Sequence, residues 1–443
     1  MPTHQYLHRV VDLTDPNKCR IHNMTVDAAR ERVASGDSES VRAIDGHFAI
    51  VARRDRTIRM ARSLGIPMRY FLAKQADGPM LIVAHRIDAI YDHLKSEGLA
   101  DQFHPSYTRM APAHYITELE LIGCPDPAPA YQRFFTPERA ALPPNEGDIG
   151  RRYIAALKEE IAKHLRSIPA DAPVGVCFSG GVDSGAVLLT TYHVLLETGS
   201  NPGRLKAFTL SVDGGGEDVA QARAFLERVG LGYLLEVIDV SSSDLDPAEA
   251  IAIVEDYKPL DIQAATMMLA LGRGIQQRYP TWKHLIDGDG GDENLKDYAI
   301  EENPELTIRS VLNNPLLYHE GWGVGSFKHS ETYSGGLSRS YARTYATLDA
   351  LGLSGFSPFT LPRLVEIAEG IPFIEMTDWR HDRLYALKGR IVALGVKAIT
   401  GLDMPDFPKR RFQHGAASAE TFGSRFADSE MVYRRRLLAR YDG

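Results

Sequence analysis

The feature that most constrains the fold is an alternation of short apolar runs with amphipathic stretches, which begins near residue 150. The first amphipathic stretch, GRRYIAALKEEIAKHLRSI, has apolar residues at intervals of three and four, a spacing typical of a helix. Four apolar runs follow, with helical stretches between most of them. They are Val174–Phe178, Leu205–Val212, Tyr233–Val240 and His284–Asp287. Strands separated by helices predict βαβ crossovers and a mostly parallel, doubly wound sheet.

The regions on either side of this alternation have different patterns. Before about Pro143 the apolar runs are short and partly alternating, as in HFAIVARR, which predicts antiparallel β-structure. A proline-rich stretch then predicts a linker. Beyond about Asp297 we expect mainly helices. The sequence therefore predicts two domains, 1–143 and 150–443, the first β-rich and the second α/β.

Composition and charge narrow the range of partners. The formal net charge of the 443 residues is −8, which provides no overall basic surface for nucleic acid. The three cysteines, Cys19, Cys124 and Cys177, lack metal-ligand spacing and cannot form a disulfide framework, which favours a reducing cytoplasm. There is no signal-peptide pattern and no apolar run long enough to span a bilayer. We expect a cytoplasmic protein that acts on small molecules, without nucleic acid or membrane partners.

The stretch VCFSGGVDSGAV joins the first predicted strand to a helix. Loops at this place bind anions, because backbone N–H groups and the helix dipole favour negative charge. Gly180 and Gly181 let backbone amides approach phosphate oxygens closely, and Ser179 and Ser184 add hydroxyl donors. Asp183 can hold a magnesium ion. The loop suits a polyphosphate but is not a Walker loop, and a tight helix-capping turn remains an alternative.

A second acidic loop, DGDGGDE, begins at Asp287 and follows another predicted strand. In a parallel sheet the two loops would lie on the same edge, where they can share one metal ion. The spacing does not match a calcium loop. Taken alone, the second loop also fits a solvated acidic turn.

Together the two loops resemble the SGGLDS and SGEGSDE motifs of the asparagine synthetase family, pyrophosphatase-loop ATP enzymes related to the β-lactam synthetases. Further similar segments follow in the family's order: EDYKPLDIQAATMMLA from Glu255, GLSGFSPFTLPRLVEIAEGIP from Gly352 and KRRFQHG from Lys409. The segment IDGHFAIVARRDRTIRMARSLGIPMRYF is similar to the later half of the family's glutaminase domain. The resemblance implies an α/β protein with an N-terminal antiparallel, Ntn-type glutaminase-like domain. An adenine-nucleotide-hydrolase-like synthetase domain with a helical C-terminal part would follow it.

The resemblance implies an ATP-dependent ligase. A substrate carboxylate attacks the α-phosphate of ATP and releases pyrophosphate, and a nitrogen nucleophile then displaces AMP from the acyl-adenylate. The residues implied to contact ATP are Phe178, Ser179, Gly180, Gly181, Asp183, Ser184, Leu210 and Gly288, of which Phe178, Leu210 and Gly288 match positions that line the adenosine. Asp183 and Asp292 would bind Mg²⁺.

Two residues match catalytic positions of the family. Asp289 matches a glutamate that acts as a base, with a side chain one methylene shorter. Lys409 matches a lysine that stabilises charge in both steps. Both are expected to act on the acyl-adenylate.

The sequence departs from the family in two places. A working glutaminase carries a cysteine directly after the initiator methionine, but this sequence has Pro2, so we expect a degenerate glutaminase domain kept for structure. The nitrogen would then come from ammonia or an amine. In the segment associated with aspartate, Lys258, Asp261 and Gln263 replace family residues. We expect Glu255, Lys258 and Gln263 to line a pocket for a different carboxylic acid.

The leading hypothesis is an AMP-forming amide synthetase that couples a carboxylic acid to ammonia or an amine, in specialised biosynthesis. Two alternatives are ring closure within one substrate, as in β-lactam synthetase, and ammonia-dependent asparagine synthesis. The carboxylate of Asp289 favours an external amine over ring closure, because the β-lactam and carbapenam synthetases have tyrosine there. A third alternative is a non-catalytic nucleotide-binding partner that regulates another synthetase. Because relatives often pair, a homodimer is a further expectation.

Overall fold

A computed structural model of the chain describes most of its residues. The described residues are 9–76, 78–120, 129–297, 300, 307–313, 341–405, 407 and 412–442. They form a front β unit, whose last strand ends at Arg133, and an α/β unit, whose first helix begins at Glu146. None of the described helices combines the length and apolar character that crossing a bilayer requires.

Strands are numbered in chain order. They are β1 Arg9–Asp12, β2 Arg20–Ile21, β3 Gly46–His47, β4 Ala49–Arg54, β5 Thr57–Arg62, β6 Arg69–Ala73, β7 Met80–Ala84, β8 Arg109–Met110, β9 Tyr115–Glu120, β10 Ala130–Arg133, β11 Val174–Cys177, β12 Leu205–Val212, β13 Leu235–Val240, β14 His284–Ile286 and β15 Ser354–Phe356. The first ten belong to the front unit and the last five to the α/β unit.

Helices are numbered in the same way. They are α1 Val26–Ser35, α2 Ser38–Arg42, α3 Ile87–Ser96, α4 Glu146–Ser167, α5 Val182–Glu197, α6 Asp218–Arg228, α7 Pro247–Val254, α8 Pro259–Arg278, α9 Gly291–Leu295, α10 Ile308–Asn313, α11 Ala346–Ala350, α12 Pro362–Glu369, α13 Phe373–Thr377, α14 His381–Thr400, α15 Phe412–Gly415, α16 Ala419–Arg425 and α17 Glu430–Ala439. A helical turn, Tyr341–Tyr345, directly precedes α11.

The front unit has two main sheets packed face to face. Their strand orders are β1-β7-β6-β8 and β10-β9-β5-β4. Alternate residues of each strand point between the sheets, where Met60, Tyr70 and Leu81 belong to one buried apolar cluster. Helices α1 and α2 cover the outer face of the second sheet, and α3 covers that of the first. The result is a four-layer arrangement of helix, sheet, sheet and helix.

The antiparallel prediction for the front region is confirmed for most strand pairs, but one pair differs. Strand β1 runs parallel to β7, with Arg9 opposite Met80 and Asp12 opposite Val83. A four-residue strand with one partner can be added at the edge of a sheet in either direction, and its short pattern does not reveal which.

The α/β unit is built on a five-stranded parallel sheet with the order β13-β12-β11-β14-β15. Helices α4, α5, α6 and α14 pack on one face, against residues such as Val174 and Ala207. Helix α8 packs on the other face, against Phe208 and Leu285. The predicted doubly wound sheet is therefore confirmed.

The strand predictions hold closely, with one omission. The observed β11, β12, β13 and β14 lie within the four predicted runs. Beyond Asp297 the described elements are helices and helical turns, as predicted, except for β15, which pairs in parallel with β14. Three residues, Ser354–Phe356, are too few for a recognisable strand pattern.

The order of strands creates a cleft at one edge of this sheet. From β11 the chain moves outward to β12 and β13, and it then returns to β14 on the other side of β11. The loops that leave β11 and β14 therefore belong to neighbouring strands but lead to different helices. A switch point of this kind, at the carboxyl ends of the strands, is where ligands bind in open α/β sheets.

The front unit contacts the α/β unit close to this edge. The hydroxyl of Tyr345 lies 3.2 Å from Nε2 of His47 and accepts a hydrogen bond of 3.0 Å from the Ser357 N–H. The other ring nitrogen of His47 lies 2.9 Å from the carbonyl oxygen of Leu64. Burial lowers the pKa of His47 to about 4, so its ring is neutral at ordinary pH. A neutral ring with Nδ1–H toward Leu64 accepts a hydrogen bond from the Tyr345 hydroxyl at Nε2.

Candidate functional site

The first loop of the candidate site leads from β11 into α5. Gly180 has a φ of +76°, and a Cβ there would lie 2.9 Å from the Ala222 backbone nitrogen, so only glycine fits without strain. The Ser184 hydroxyl lies 3.3 Å from both the Ser179 nitrogen and the Gly181 carbonyl oxygen. Gly181 is the N-cap residue of α5, and no side-chain capping hydrogen bond is made at this helix start among the described residues. The backbone amides at this helix end therefore face the cleft without a side-chain cap, as an anion site requires.

The second loop leaves β14 and packs directly on the first. A Cβ on Gly288 would lie 2.8 Å from the Ser184 backbone nitrogen. A Cβ on Gly291 would lie 2.3 Å from Oδ1 of Asp183. The glycines therefore let the two loops approach until the acidic residues of both surround one small volume. The structure brings together the two loops that the sequence placed on one sheet edge.

A buried lysine that the sequence analysis did not identify joins the carboxylates of both loops. Nζ of Lys388, on α14, lies 2.6 Å from Oδ2 of Asp183 and 3.3 Å from Oδ2 of Asp297, and it donates a hydrogen bond to Asp292. Burial lowers the pKa of Lys388, but Asp183, Asp292 and Asp297 together raise it well above its ordinary value. Lys388 is therefore a fixed cation between the two predicted metal ligands. Its only sequence signal is a lysine on the apolar face of a helix.

The candidate base, Asp289, lies in a network at the base of the second loop. Asp287 accepts a 3.0 Å hydrogen bond from the Asp289 N–H and another from the Thr344 hydroxyl. The Thr344 hydroxyl oxygen also lies 3.2 Å from Oδ2 of Asp289, and Nη1 of Arg343 lies 3.6 Å from its Oδ1. Arg343 and Thr344 belong to the Tyr341–Tyr345 turn, which has no motif in the sequence.

Burial and mutual repulsion shift the titration of the two carboxyls. Burial, and next the charge of Asp289, raise the pKa of Asp287 to about 7. Burial also raises the pKa of Asp289, although Arg343 opposes this. Burial and the repulsion between the two groups therefore both favour their protonated forms. A carboxylate poised in this way suits proton transfer.

Phe178 and Leu210, two of the predicted adenosine contacts, are buried apolar side chains near the carboxyl ends of β11 and β12. Phe178 is buried and meets the ring of Phe225 edge-on, with centroids 5.3 Å apart. Leu210 is buried in the cluster on the opposite face of the sheet. Both side chains are part of the cores that support the edge. Contact with an adenosine at these positions would therefore fall to backbone atoms.

Of the predicted substrate residues, Glu255 contacts the front unit. Its carboxylate accepts hydrogen bonds of 2.8 and 2.9 Å from the N–H groups of Ile87 and Asp88, at the start of α3 in the front unit. It also lies 3.3 Å from Arg86 and 3.7 Å from Arg69. These contacts place Glu255 at the interface between the two units, where it caps α3.

Three predicted residues remain: Lys258, Gln263 and Lys409. Lys258 and Gln263 are half-buried at the start of α8, and Lys258 is the residue that precedes its first turn. Lys409 lies outside the described residues. In the part of the chain that the structure describes, no three His, Cys, Asp or Glu side chains form a metal site by themselves.

The fold is that of an α/β protein whose two loops meet at the switch point of a parallel sheet, joined to a four-layer β unit. Residues 153–373, about half of the chain, match the family model described as asparagine synthase. The chain belongs to the asparagine synthetase family.

Similar curated proteins carry the same family name. A putative glutamine-hydrolysing asparagine synthetase of Mycobacterium bovis is 28% identical over 263 residues, which cover 58% of this chain and 37% of that protein. The glutamine-hydrolysing asparagine synthetase 2 of Lotus japonicus is 26% identical over 221 residues, 49% of this chain and 34% of that protein. The root asparagine synthetase of Pisum sativum, also glutamine-hydrolysing, is 26% identical over 166 residues, 35% of this chain and 27% of that protein. The matched part thus spans about a third of these relatives' own lengths.

Proposed function

We propose that the chain is a carbon–nitrogen ligase that forms an amide from a carboxylic acid and ammonia or an amine. ATP and the acid give an acyl-adenylate and pyrophosphate, and the nitrogen nucleophile then displaces AMP and loses a proton. One observation carries the proposal: the glycine loop after β11 and the acidic loop after β14 touch at the carboxyl edge of the sheet, with Gly291 against Asp183. Family membership supports the same reaction class.

The first loop is proposed to bind the pyrophosphate part of ATP. Ser179, Gly180, Gly181 and Ser184 offer backbone N–H groups and hydroxyls at the start of α5, where the helix dipole also favours an anion. Gly288 contributes the space between the loops. Closely placed donors at this point would stabilise the charge that develops on pyrophosphate as the α-phosphate bond breaks.

The donor set fits Mg²⁺ bound together with a nucleotide. Magnesium is usually held by one or two carboxylates plus phosphate oxygens and water, and Asp183 and Asp292 supply two carboxylates on facing loops. When bound, the ion would neutralise charge on the leaving pyrophosphate. Lys388 holds both carboxylates in place through its ammonium group. We propose that Asp183 and Asp292 are the magnesium ligands.

Asp289 is proposed as the base of the second step. An amine that attacks the acyl-adenylate must lose a proton, and a carboxylate within reach accepts it. Thr344 and Asp287 fix the position of Asp289. The positive charge of Arg343 favours the ionised form of the Asp289 carboxyl. Among the described residues, the buried Nε of Arg343 has no hydrogen-bond partner, so we propose that the guanidinium also binds a substrate carboxylate or phosphate.

The nitrogen is proposed to come from outside the chain. A glutaminase needs a reactive thiolate, and burial raises the pKa of both described cysteine thiols, Cys19 and Cys177. Cys19 is half-buried in the front unit, with its Sγ 3.7 Å from the Ala49 carbonyl oxygen. Cys124 lies outside the described residues. Free ammonia or an amine substrate would then serve as nucleophile.

Magnesium-dependent exchange of labelled pyrophosphate into ATP, screened over a library of carboxylic acids, tests the proposal. At least one acid should support exchange, and Asp183→Asn should reduce it by about 100-fold or more. Asp213→Asn, an exposed carboxylate that follows β12, is the control and should retain exchange. Absence of exchange with every acid would contradict the proposal. The mass of the amide product separates an added amine from ring closure, which loses one water from a single substrate.

A further inference from the structure

The ammonium group of Lys388 lies between the two proposed magnesium ligands. Nζ is 2.6 Å from Oδ2 of Asp183, and it also forms an ion pair with Oδ1 of Asp292. These two oxygens come from different loops and converge on one nitrogen. A magnesium ion that bridged them would lie about 2.1 Å from each oxygen. The ammonium and such an ion would need overlapping volumes, so both cannot contact this pair of oxygens at once.

Repulsion between like charges adds to this competition for space. A divalent ion that used the other oxygens of the same two carboxylates would still lie close to Nζ. The side chain of Lys388 is only 4% exposed, so little water screens its charge, and a low dielectric strengthens the repulsion. A divalent ion without a nucleotide is therefore disfavoured at this point, whichever carboxylate oxygens it uses.

The packing of α14 keeps the ammonium beside the two loops. Leu387 and Ile391 of this helix are buried in the apolar cluster that also contains residues of α4 and α5. Nζ lies 3.3 Å from Oδ2 of Asp297, which is not one of the proposed metal ligands. This carboxylate can retain the ammonium when the other two carboxylates turn to an ion. Lys388 can thus give up its position without becoming an unpaired buried charge.

A nucleotide would change the balance of charge at this point. The loop before α5 is proposed to bind the pyrophosphate part of ATP, directly beside Asp183. The phosphates bring several negative charges and the oxygen ligands that magnesium prefers. Their charge offsets the repulsion from the ammonium. An ion that arrives with ATP is therefore favoured where the ion by itself is not.

We infer that Lys388 is a positioning residue that holds Asp183 and Asp292 together and admits a divalent ion only in company with a nucleotide. The ammonium exchanges places with the ion, and no covalent bond changes. The inference rests on the proposed function for the identity of the metal ligands. It goes further by assigning an order of binding, in which the metal and the nucleotide enter together.

Titration of the full chain with Mn²⁺, followed by electron paramagnetic resonance of the unbound ion, tests the inference. Without nucleotide the wild type should bind Mn²⁺ only weakly. Lys388→Met should bind it about 10- to 100-fold more tightly, because the position between the carboxylates opens and a positive charge is lost. Lys397→Met, on the same helix but exposed, should bind as weakly as the wild type. Tight binding to the wild type, or no gain in Lys388→Met, would overturn the inference.

Thermal unfolding gives a second readout, which a purely structural lysine would not produce. Lys388→Met should unfold at a lower temperature than the wild type. Addition of Mn²⁺ should raise that temperature, since an ion that binds the native state stabilises it. The same concentration of Mn²⁺ should leave the wild type nearly unchanged. A lower unfolding temperature that does not respond to Mn²⁺ would count against the inference.

A second variant, Asp297→Asn, tests the exchange while Lys388 stays in place. It removes the carboxylate that would retain the ammonium after the exchange. Binding of Mn²⁺ together with α,β-methylene-ATP should therefore weaken by about 10-fold, while Mn²⁺ alone should still bind weakly. Asp403→Asn, the exposed partner of Lys397, is the matched control and should bind the complex as the wild type does. Equal binding of the complex by Asp297→Asn and the wild type would contradict the exchange.

These measurements need no carboxylic acid, so they separate the inference from the proposed reaction. If no acid supports pyrophosphate exchange but Lys388→Met gains Mn²⁺ binding, the role of Lys388 stands while the synthetase proposal fails. If an acid supports pyrophosphate exchange but the wild type binds Mn²⁺ tightly without nucleotide, the inference fails and the proposal stands.

Discussion

The two acidic regions of the α/β unit differ in whether their carboxylates form ion pairs. At the two loops proposed to bind the nucleotide, the ammonium of Lys388 forms ion pairs with Asp183, Asp292 and Asp297. The Thr344 hydroxyl donates a hydrogen bond to Asp287. At the start of α8, Asp256 and Asp261 are buried without an ion pair among the described residues. The first region is organised before any ligand arrives, as the chemical step of an enzyme requires. In the second, Asp256 is held by two backbone N–H groups, and Oδ1 of Asp261 has no hydrogen-bond partner among the described residues.

The largest expected effect concerns the base of the organised region. Asp289→Asn should slow amide formation by about 100- to 10,000-fold, because the amide side chain cannot accept the proton of the attacking amine. Pyrophosphate exchange should remain, since the first step needs no base at this position. Single-turnover assays of adenylate and of amide measure the two steps separately. Asp213→Asn is the matched surface control. Equal loss of both steps would instead make Asp289 a nucleotide-binding residue.

The next effect concerns Lys388 itself. Lys388→Met should lower the free energy of unfolding by about 3–5 kcal/mol, because it leaves three carboxylates close together without a counterion. Urea unfolding at pH 7 measures this change.

Lys397→Met is the matched control for Lys388, since Lys397 is on the same helix but 51% exposed and paired with the exposed Asp403. Its change should be within about 1 kcal/mol. Similar changes in both variants would contradict the view that the nucleotide edge is organised by a buried charge.

A third test asks whether Glu255 stabilises the fold or binds the substrate. Glu255→Gln should cost about 2–3 kcal/mol, because it removes the counterion of two arginines and one acceptor of the α3 cap. KM for the acid should stay unchanged. Asp349→Asn breaks the exposed pair with Lys18 between the same two units and should cost about 0–1 kcal/mol. A raised KM with intact stability would return Glu255 to the substrate pocket.

The smallest effect is on the pH dependence of stability. Asp287 has a pKa of about 7 in the fold and about 3.9 in the unfolded chain, so between these values the native state binds more protons. The free energy of unfolding should therefore fall as pH rises from about 4 to 7. The contribution of this group is at most about 1.4 kcal/mol per pH unit.

Asp287→Asn removes that proton and should flatten the curve relative to the wild type. Asp256, with its pKa of about 6, acts in the same direction and remains in the variant, so the difference between the two curves isolates Asp287. Urea midpoints measured at half-unit steps of pH give both curves. A wild-type curve that falls no more steeply than that of the variant would count against the raised pKa.

The sequence predicts much of this architecture because its signals are local. Alternating strand and helix patterns identify the parallel sheet, and the two glycine-rich loops identify its functional edge. Lys388, Arg343 and Thr344 could not be predicted, since each reaches the site from a segment without a motif. The sequence also did not show where the Glu255 side chain points. Glu255 follows the last turn of α7 with a φ of +52°, and this left-handed conformation directs its side chain to the front unit. The roles of Asp289 and the magnesium ligands stay predictions.

The contact between His47 and Tyr345 gives the front unit a structural role that requires no catalytic activity of that unit. Tyr345 adjoins Thr344 in sequence, so the histidine supports the peptide that lies against Asp289, the proposed base of the second step. A protein shortened to its C-terminal two-thirds would lose that support along with the Glu255 cap. Whatever the source of the nitrogen, the front unit would thus be needed to hold this turn beside the second acidic loop.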